Sequence, residues 1–584
     1  MKVVLAQTNP TPGDFEGNYD QILTALDVGV SKGTTLVILP ELSICGYLHR
    51  DMVYNELFVD KNLEYLRKVV AATASEANRG LYVVVGYIDR NLKGTGKPFR
   101  NMLAVIHRGG VVATYQKQLL PFYDVFDESR YCEAGTDLTV LKIDGVKWGF
   151  CICEDVWNDK GQDDYNYFLN PLQRYRDIGI TNIISINSSP YVQGKPAARI
   201  KMAQKITEDG GTLIYVNQIG GMDDLVFDGH SFVAINGSLH FVCNGFSVVN
   251  QVVDIDSQKS YGLQIVEQGD VTNIHNMLVL GLRDYIQKSG FKEVVVASSG
   301  GIDSALVIAL ACEAIGAENV HAIRIPSKNN SSASSDDALQ LHKNLGCHDY
   351  VAPISYESLL EETNVAYKSK VLSTKKYNAV ADENIQARLR AIKLMHFSNA
   401  FGALALTTGN KSENATGYCT LGGDMMGGFA PIQDVYKMQI FDLCRWYNIH
   451  AYEIFKEFKE DCLIPEHILT KPPSAELAPN QTDEASLLPY DVLDPIIFAY
   501  VESYISNFEE FNKWALRQPT KILNPVHAFC ISDNAKAKYD RIIRLIDLNE
   551  FKRRQAAPGI KISRVAFGTG RRMPIVKKTQ FYQE

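Results

Sequence analysis

Short apolar runs rich in β-branched residues alternate with helical patterns along the first part of the chain. The apolar runs lie at Val3–Ala6, Leu36–Leu39, Leu81–Val85, Met102–Ile106, Val146–Cys151, Asn182–Ile186 and Thr212–Val216. Helical spacing of apolar residues is found at Asn18–Lys32 and Leu63–Asn78. This alternation is typical of a layered α/β domain, which we predict at residues 1–255. Residues 256–272 are polar and aperiodic, so they predict a linker.

A second α/β domain is predicted over residues 273–584. Two apolar runs, Glu293–Ala297 and His321–Ile325, enclose a helical pattern at Ser304–Ile315. A strand, a helix and a strand within about 30 residues form a crossover unit, so we expect a parallel sheet. Further along, residues 328–337 are rich in Ser, Asn and Asp, and residues 465–489 contain five prolines. Both stretches predict long irregular loops.

The composition is that of an ordinary globular protein, and the charge disfavours one class of partner. The chain has 584 residues, of which 46% are hydrophobic and 22% are charged, enough for roughly two to four domains. Its formal net charge of −8 argues against bulk binding of nucleic acid. The last 36 residues differ, with nine Lys or Arg against two acids. That basic end favours a phosphate-bearing ligand, an acidic neighbouring subunit or only a solvated edge.

The cysteines and the apolar runs predict a cytoplasmic protein without a membrane partner. The eleven cysteines are scattered, with no Cys-x-x-Cys pair and no zinc-ligand spacing. We therefore expect reduced thiols. No stretch approaches the ~18 apolar residues of a membrane span, and the apolar run at the N-terminus is too short for a signal peptide.

Three polar residues of the first domain follow apolar runs, at the strand ends where α/β sheets place chemistry. They are Glu41 in Leu-Pro-Glu, Lys117 in Tyr-Gln-Lys and Cys153 in Cys-Ile-Cys-Glu-Asp. A thiol nucleophile needs a base to take its proton, and acyl transfer needs a cation or donors for the oxyanion. Glu, Cys and Lys supply those groups. On spacing alone, a small buried hydrophobe is the commoner reading of such a cysteine.

The surrounding motifs resemble the nitrilase superfamily, whose catalytic triad is Glu-Lys-Cys. The match includes Cys-Glu-Asp-Val-Trp at 153–157 and Ile-Asn-Ser-Ser-Pro-Tyr at 186–191. The string Asn-Gln-Ile-Gly-Gly-Met-Asp-Asp-Leu-Val-Phe-Asp-Gly-His-Ser at 217–231 is similar to its glutamine-amidase branch. The resemblance implies a nitrilase-like α-β-β-α sandwich in which Cys153 attacks the side-chain amide of glutamine. It also implies that Glu41 is the general base and that Lys117 stabilises the tetrahedral intermediate.

The same resemblance implies three glutamine contacts, at Tyr123, Ser189 and Lys195. Their alternative roles are a core tyrosine, a turn serine and a solvated lysine. The motif leaves open whether Ser188 or Ser189 meets glutamine, because a small residue is expected before the last serine.

A loop in the second domain connects a predicted strand to a predicted helix. It consists of Ala297, Ser298, Ser299, Gly300, Gly301, Ile302, Asp303 and Ser304. Its two glycines allow a tight turn, and the N–H groups that open the helix favour an anion. No Gly-Lys-Ser/Thr follows, so it is not a Walker loop. It resembles the SGGxDS pyrophosphate loop of the ATP pyrophosphatases, which implies ATP binding on a Rossmann-like adenine nucleotide alpha-hydrolase fold. An ordinary glycine-rich turn is the alternative.

Later segments resemble the family of glutamine-dependent NAD synthetases, and with the amidase half the resemblance covers nearly the whole chain. They are Glu383–Arg390, Leu406–Glu413, Gly417–Asp424, Lys471–Leu477 and Phe551–Gln555. The family hydrolyses glutamine, adenylates deamido-NAD with ATP, and amidates it to NAD with release of AMP and pyrophosphate. A homo-oligomer is implied as well.

By position, the resemblance implies a set of substrate contacts in the second domain. Thr408 contacts ATP, while Asn384, Glu413 and Lys552 contact deamido-NAD. Asp303 and Glu413 hold Mg²⁺. The alternatives are a helix cap for Asn384, a loop acid for Glu413 and a tail charge for Lys552. Two other functions stay open: an amidase fused to a tRNA-modifying SGGxDS adenylase, and a non-catalytic dinucleotide-binding regulator.

Overall fold

The computed structural model of the chain describes residues 1–157, 167–257, 270–371, 377–456, 458–478 and 481–577. The chain divides into two compact units, Met1–Asp270 and Val271–Glu584. Most of the predicted linker 256–272 lies outside the described residues, so the predicted domain limits stay predictions. No helix of the described ranges is long and apolar enough to cross a membrane.

The first unit is built from two six-stranded sheets, a small hairpin and flanking helices. Its strands are β1 (Lys2–Gln7), β2 (Leu36–Ile38), β3 (Tyr82–Arg90), β4 (Phe99–His107), β5 (Gly110–Gln116), β6 (Val140–Ile143), β7 (Val146–Ile152), β8 (Asn182–Asn187), β9 (Thr212–Asn217), β10 (Ile219–Met222), β11 (Leu225–Asp228), β12 (Phe232–Ile235), β13 (Ser238–Val242) and β14 (Val249–Asp254). Its α-helices are α1 (Phe15–Ser31), α2 (Glu56–Ala72), α3 (Glu128–Tyr131), α4 (Pro171–Asp177) and α5 (Lys195–Thr207). Single 3-10 turns lie at Arg50–Tyr54 and Cys153–Val156.

The strand order explains why the apolar runs of this unit are continuous. One sheet has the order β14-β1-β2-β3-β4-β5 and the other β13-β12-β9-β8-β7-β6, while β10 and β11 form the hairpin. In β1, Val3 and Leu5 pack between the sheets, in one core with Ile184 of β8. The alternate residues Val4 and Ala6 pack on the other face, in a core with α1 and α2. Both faces of the sheet are thus buried, and the predicted α-β-β-α sandwich is confirmed.

The second unit has a four-stranded parallel sheet covered by many helices. Its strands are β15 (Val294–Ser298), β16 (Val320–Arg324), β17 (His348–Val351) and β18 (Leu404–Leu406). Its α-helices are α6 (Asp270–Lys288), α7 (Ile302–Ile315), α8 (Ser332–Leu345), α9 (Glu357–Val371), α10 (Val380–Phe401), α11 (Lys411–Thr416), α12 (Lys437–Ile454), α13 (Glu466–Thr470), α14 (Asp483–Ser486), α15 (Tyr490–Val501), α16 (Phe508–Ala515), α17 (Thr520–Cys530), α18 (Ala535–Leu548) and α19 (Glu550–Arg553), with a 3-10 turn at Ala317–Asn319.

The order of the parallel sheet determines where a ligand can enter. The strands run β17-β16-β15-β18, with every neighbouring pair parallel. The chain moves outward from β15 through β16 to β17 and then returns to β18 on the other side of β15. Ligands bind at such a reversal, outside the carboxyl ends of the strands. The predicted Rossmann-like parallel sheet is therefore confirmed, with its crevice between the loops that follow β15 and β18.

One of the two predicted loops is largely helical. Helix α8 begins at Ser332, so it occupies the second half of the predicted loop 328–337. The side chain of Ser331 caps it by accepting a hydrogen bond from the backbone of Ser334. A serine-rich sequence can therefore mark a helix start rather than a loop. The stretch 465–489 is irregular apart from α13 and α14, and its residues 479 and 480 lie outside the described part.

Candidate active sites

The structure brings the predicted Glu-Lys-Cys residues of the first unit to one end of its facing sheets. Glu41 lies just beyond β2, Lys117 follows β5 directly, and Cys153 follows β7 directly. Their exposed fractions are 0%, 0% and 5%. The Nζ of Lys117 lies 2.7 Å from Oε1 of Glu41, and the charges of both residues act on the Cys153 thiol.

A second carboxylate, which the sequence analysis missed, shares the lysine. The oxygens of Glu128 lie 2.7 and 2.8 Å from Nζ of Lys117. Glu128 begins the short helix α3 and also accepts a hydrogen bond of 2.8 Å from the hydroxyl of Tyr47. Lys117 is therefore held between two buried carboxylates, and their charges keep its pKa well above the usual value despite its burial.

Glu41 is suited to take a proton near neutral pH. Burial raises its pKa to about 7, with the Lys117 ammonium opposing that rise and the charge of Glu128 adding to it. Its oxygens also accept hydrogen bonds from the Asn101 amide at 2.7 Å and from the backbone N–H of Ser188 at 3.0 Å. A general base works best when its pKa lies near the working pH.

Cys153 stands on a strained turn with its thiol protonated. Its backbone has a φ of 45°, in the left-handed region that few residues other than glycine adopt. Burial raises the pKa of the thiol well above its usual range; the negative charge of Glu41 raises it further, and Lys117 opposes the shift. The thiol therefore needs a base to remove its proton before it can attack.

The carboxylate of Asp155 ties this turn to the segment that carries Lys117. It accepts hydrogen bonds from the backbone N–H groups of Ile152 at 3.0 Å, Gln118 at 3.1 Å and Leu119 at 2.8 Å. The hydroxyl of Tyr115 donates a fourth bond, of 2.9 Å. Asp155 belongs to the Cys-Glu-Asp-Val-Trp motif, which was the only sequence signal for this role.

Two of the predicted glutamine contacts flank the residues next to the cysteine. The hydroxyl of Tyr123 donates to the carboxylate of Glu154 at 3.0 Å. The ammonium of Lys195 lies 3.7 Å from the centre of the Trp157 ring, in a cation–π contact. Both side chains thus stand beside the turn that begins at Cys153.

The two serines of the Ser-Ser-Pro motif have different partners within the protein. Ser188 is fully buried, and its hydroxyl donates to the Gln218 amide oxygen at 2.9 Å. Ser189 is 3% exposed, and its hydroxyl accepts a bond of 3.3 Å from the buried guanidinium of Arg199. Both serines are therefore buried and hydrogen-bonded within the protein, and the choice between them as the glutamine contact stays a prediction.

In the loop that follows β15, the tight turn depends on one glycine. Gly300 has a φ of 76°, and a Cβ on it would lie 2.1 Å from the carbonyl oxygen of Ser334. Gly301 has a φ of −88°, and the nearest atom to its Cβ would be the Ser299 hydroxyl at 3.2 Å. Of the two glycines that are predicted to allow the tight turn, only Gly300 stands where another residue could not. Ser304 braces the turn by donating to the Gly301 carbonyl at 2.9 Å.

A cavity of about 410 Å³ opens at the carboxyl ends of β15 and β18. From the predicted set it is lined by Ala297, Ser298, Ser299, Gly301, Ile302, Asp303, Thr408, Asn384, Glu413 and Lys552. Five lysine or arginine residues and six carboxylic acids lie among its described lining residues. Its walls therefore carry no clear positive excess, although nucleotide ligands are strongly anionic.

A buried lysine that the sequence analysis missed joins the two predicted metal ligands. The Nζ of Lys437 lies 2.6 Å from Asp303 and 3.3 Å from Glu413. Burial raises the pKa of Glu413 to about 8, and the charge of Asp303 adds to this, while Lys437 opposes it. Lys437 begins α12, far along the chain from both acids, and no motif marked it.

The two acids provide the donor type that Mg²⁺ prefers. Magnesium is usually held by one or two carboxylates together with substrate phosphates. The described residues contain no group of three or more His, Cys, Asp or Glu that could hold a metal alone. Asp303 and Glu413 therefore fit an ion that a bound nucleotide completes.

Asn384 and Lys552 are structured parts of the cavity wall. Helix α10 begins four residues before Asn384, so this residue is not a helix cap. Its amide oxygen accepts a hydrogen bond of 2.7 Å from Thr420. Lys552 donates to the backbone carbonyls of Gly417 at 2.7 Å and Cys419 at 2.8 Å. Lys552 is thus more than a solvated charge, because it anchors the Gly417–Asp424 segment.

Comparison with known proteins gives full-length matches. Residues 2–161 match the carbon-nitrogen hydrolase family, and residues 274–556 match the NAD synthase family. The chain is 36% identical to the glutamine-dependent NAD(+) synthetase of Thermotoga maritima, with 99% of both chains covered. It is 38% identical to that of Synechocystis, with 98% of both covered.

Solved structures agree with these matches. The glutamine-dependent NAD+ synthetase from Acinetobacter baumannii, in complex with ADP, superposes with a TM-score of 0.70 at 33% identity, covering 99% of this chain and 98% of that one. The protein of the same name from Cytophaga hutchinsonii has a TM-score of 0.77 at 21% identity, covering 100% and 98%, and so shows the fold alone.

Proposed function

This chain belongs to the family of glutamine-dependent NAD(+) synthetases, and on that basis we propose how its two centres divide the reaction. It is an ATP-dependent ligase that takes nitrogen from glutamine to make NAD. The first unit releases ammonia from glutamine. The second unit adenylates the nicotinate carboxylate of deamido-NAD and then amidates it.

In the first centre, the thiol of Cys153 attacks the side-chain amide carbon of glutamine. Its proton passes to Glu41, whose raised pKa suits this transfer. The Lys117 ammonium stabilises the oxyanion that develops on the amide oxygen. Glu41 then gives its proton to the departing ammonia, which leaves a thioester. Water hydrolyses the thioester to glutamate, with Glu41 again taking and returning the proton.

The surroundings of Cys153 supply substrate contacts and rigidity. Tyr123, Ser189 and Lys195 bind the glutamine. Glu128 holds the ammonium of Lys117 in place through its two short bonds. Asp155 fixes the distance between the cysteine turn and the lysine segment, because it accepts hydrogen bonds from both.

In the second centre, a carboxylate must be activated before ammonia can displace its oxygen. The nicotinate oxygen attacks the α-phosphorus of ATP, and pyrophosphate leaves into the loop of Ser298–Ser304. Ammonia attacks the acyl carbon of the adenylate, AMP leaves with the bonding electrons, and the extra proton on nitrogen passes to solvent. Thr408 contacts ATP, and Asn384 and Lys552 bind deamido-NAD. Asp303 and Glu413 would hold Mg²⁺, which would offset the charge of the triphosphate.

The full-length similarity, with one buried constellation in each unit, carries this proposal. The test supplies the purified chain with deamido-NAD, ATP, magnesium and glutamine labelled with ¹⁵N in its side-chain amide. We expect ¹⁵N in the amide of NAD, together with AMP and pyrophosphate in equal amounts. Formation of ADP in place of AMP would exclude adenylation.

We also propose a cytoplasmic homo-oligomer. All eleven cysteines are free thiols, which suits a reducing compartment. Ammonia is largely protonated in water and then unreactive, so a protected route between the centres is expected in the assembled enzyme. Light scattering of the purified chain measures its mass, and a monomer at working concentration would contradict the oligomer.

A further inference from the structure

A hydrogen-bonded chain of four side chains lies behind the loop that we assign to pyrophosphate. The Nε2 of His342, on α8, lies 2.9 Å from the hydroxyl of Ser298, the last residue of β15. Its Nδ1 lies 2.6 Å from Oδ1 of Asp349, on β17. Arg324, at the end of β16, donates hydrogen bonds to the same carboxylate from Nε at 2.8 Å and from Nη2 at 2.6 Å. His342 is only 1% exposed, while Ser298 lines the cavity.

These contacts determine where the hydrogens lie when the cavity is empty. Asp349 is a carboxylate, because the guanidinium of Arg324 and the ring of His342 lower its pKa. It therefore accepts a hydrogen from Nδ1 of His342. Burial lowers the pKa of His342, so the ring is neutral at pH 7 and its Nε2 is an acceptor. The hydroxyl of Ser298 must then donate its hydrogen to His342.

This arrangement conflicts with anion binding. A serine hydroxyl has one hydrogen, so Ser298 cannot donate to His342 and to a phosphate oxygen at once. With its hydrogen on the ring, Ser298 turns only lone pairs toward the cavity. If His342 gains a proton, Nε2 becomes the donor and Ser298 can turn its hydrogen to the phosphate.

We propose that pyrophosphate binding at this loop is coupled to the uptake of a proton by His342. The proton comes from solvent, stays on Nε2 while pyrophosphate is bound, and returns to solvent when pyrophosphate leaves. His342 is thus a positioning residue that acts through Ser298. This inference rests on the proposed role of the loop as the pyrophosphate site.

The charges around His342 fix the sign of the effect. The carboxylate of Asp349 raises the pKa of His342, and the guanidinium of Arg324 lowers it. On β15, the His342 ring contacts the uncharged side chain of Ser298. A bound anion adds negative charge near Ser298 and raises the His342 pKa. Pyrophosphate affinity therefore falls as pH rises between the two pKa values, by up to about tenfold per pH unit for one proton.

Titration calorimetry of the full chain with magnesium pyrophosphate measures the proton directly. The heat is recorded at pH 7 in several buffers of different protonation enthalpy, and its slope against that enthalpy counts the protons taken up. The variants are His342→Gln, Ser298→Ala and, as a matched control, His348→Gln. His348 lies on β17 next to Asp349, but it bonds the backbone carbonyl of Glu318 at the surface.

We expect the wild type and the His348 variant to take up the same number of protons. The His342 and Ser298 variants should each take up fewer, by up to about one proton, and the double variant should match the single ones. Any change in the protonation of pyrophosphate itself is the same for all variants, so it cancels when their proton uptakes are compared. Because Arg324 still pairs Asp349, the His342 variant leaves no lone buried charge; if it does not fold, the Ser298 variant decides alone.

An uptake in either variant equal to that of the wild type overturns the coupling. If the wild type does not bind pyrophosphate at all, the proposed role of the loop as the pyrophosphate site is wrong, and the coupling is wrong with it. A pyrophosphate affinity that is as pH-dependent in the His342 variant as in the wild type also overturns the coupling.

Discussion

Replacing Glu128 by glutamine removes one of the two carboxylates that hold Lys117, with little change in shape. The amide oxygen can still accept from the lysine, and the new N–H₂ group meets the hydroxyl of Tyr47, which lies 2.8 Å from the present carboxylate. The electrostatic consequence falls on Glu41. Its pKa of about 7 is partly due to the negative charge of Glu128. We therefore expect Glu128→Gln to lower the pKa of the proposed base.

The size of the shift follows from distances to a common atom. One oxygen of Glu41 and one of Glu128 each lie 2.7 Å from Nζ of Lys117, so they are at most about 5.4 Å apart. At roughly 5 Å and an effective dielectric constant of about 20, two like charges repel by about 3 kcal/mol, or about two pH units. The dipole of the new amide and local relaxation offset part of the effect of removing this repulsion, so we expect the pKa of Glu41 to fall by about one to two units.

The assay is glutamate release from glutamine as a function of pH. Glu41 must be a carboxylate to accept the thiol proton, so kcat/KM rises with pH through its pKa and reaches half of its plateau near pH 7 in the wild type. In the variant this rise should occur at lower pH, and the plateau should be lower because a weaker base remains. Glu133→Gln is the matched control, since that carboxylate accepts from the backbone of Lys97 at the surface.

If the rise of kcat/KM at low pH is not shifted in a folded Glu128→Gln variant, then the charge of Glu128 does not set the pKa of Glu41. A shift of equal size in the Glu133 variant would assign the effect to overall charge. NAD formation from ammonia should be unchanged in both variants, because that reaction bypasses the first centre.

Three further substitutions test the remaining assignments. Cys153→Ala should abolish NAD formation from glutamine but keep formation from ammonia within about twofold. The control Cys151→Ala, which changes a thiol in the helix-facing core, should keep both reactions. Loss of the ammonia reaction in the Cys153 variant would contradict two separate centres. Gly300→Ala should lower ATP turnover by ~100-fold or more with either nitrogen donor, because Gly300 has a positive φ and a Cβ there would collide with the backbone of Ser334. Gly301→Ala should lower ATP turnover far less. Equal losses in the two variants would show that the two positions do not differ in this way. Lys552→Ala should raise the KM for deamido-NAD by ~10-fold and leave that for ATP unchanged. An unchanged KM for deamido-NAD would leave Lys552 only its contacts with the Gly417–Asp424 segment.

The proposed reactive residues could be predicted from the sequence because they follow apolar strands within recognisable motifs. Glu41 and Cys153 follow runs that the structure has as β2 and β7. Strands at the edges were harder to see: no residue of β13 is fully buried, so it has no apolar run. The start of α8 resembles a loop in sequence, because a capping serine and a loop serine look alike until the partner N–H is known.

The residues that tune the chemistry could not be found in this way. Glu128 opens a helix of only four residues, and Lys437 opens a helix more than 130 positions from Asp303. Each acts through a short contact with a residue of another segment, and burial gives that contact its strength. A single chain contains many acids and lysines, and only the folded structure shows which of them share one ammonium or one carboxylate.

Both centres hold a buried lysine between two carboxylates, Lys117 in the first unit and Lys437 in the second. Each cluster has one more carboxylate than ammonium, and in each the pKa of a glutamate is raised, to about 7 for Glu41 and about 8 for Glu413. The same surplus serves different ends because the substrates differ in charge. The amide of glutamine is neutral, so the surplus is available to receive the thiol proton. ATP and deamido-NAD are anions, so we propose that at the second centre the surplus is offset by the cation that Asp303 and Glu413 would hold. The local arrangement is shared, and on this proposal the charge of the substrate decides whether it works as a base or as a ligand for a cation.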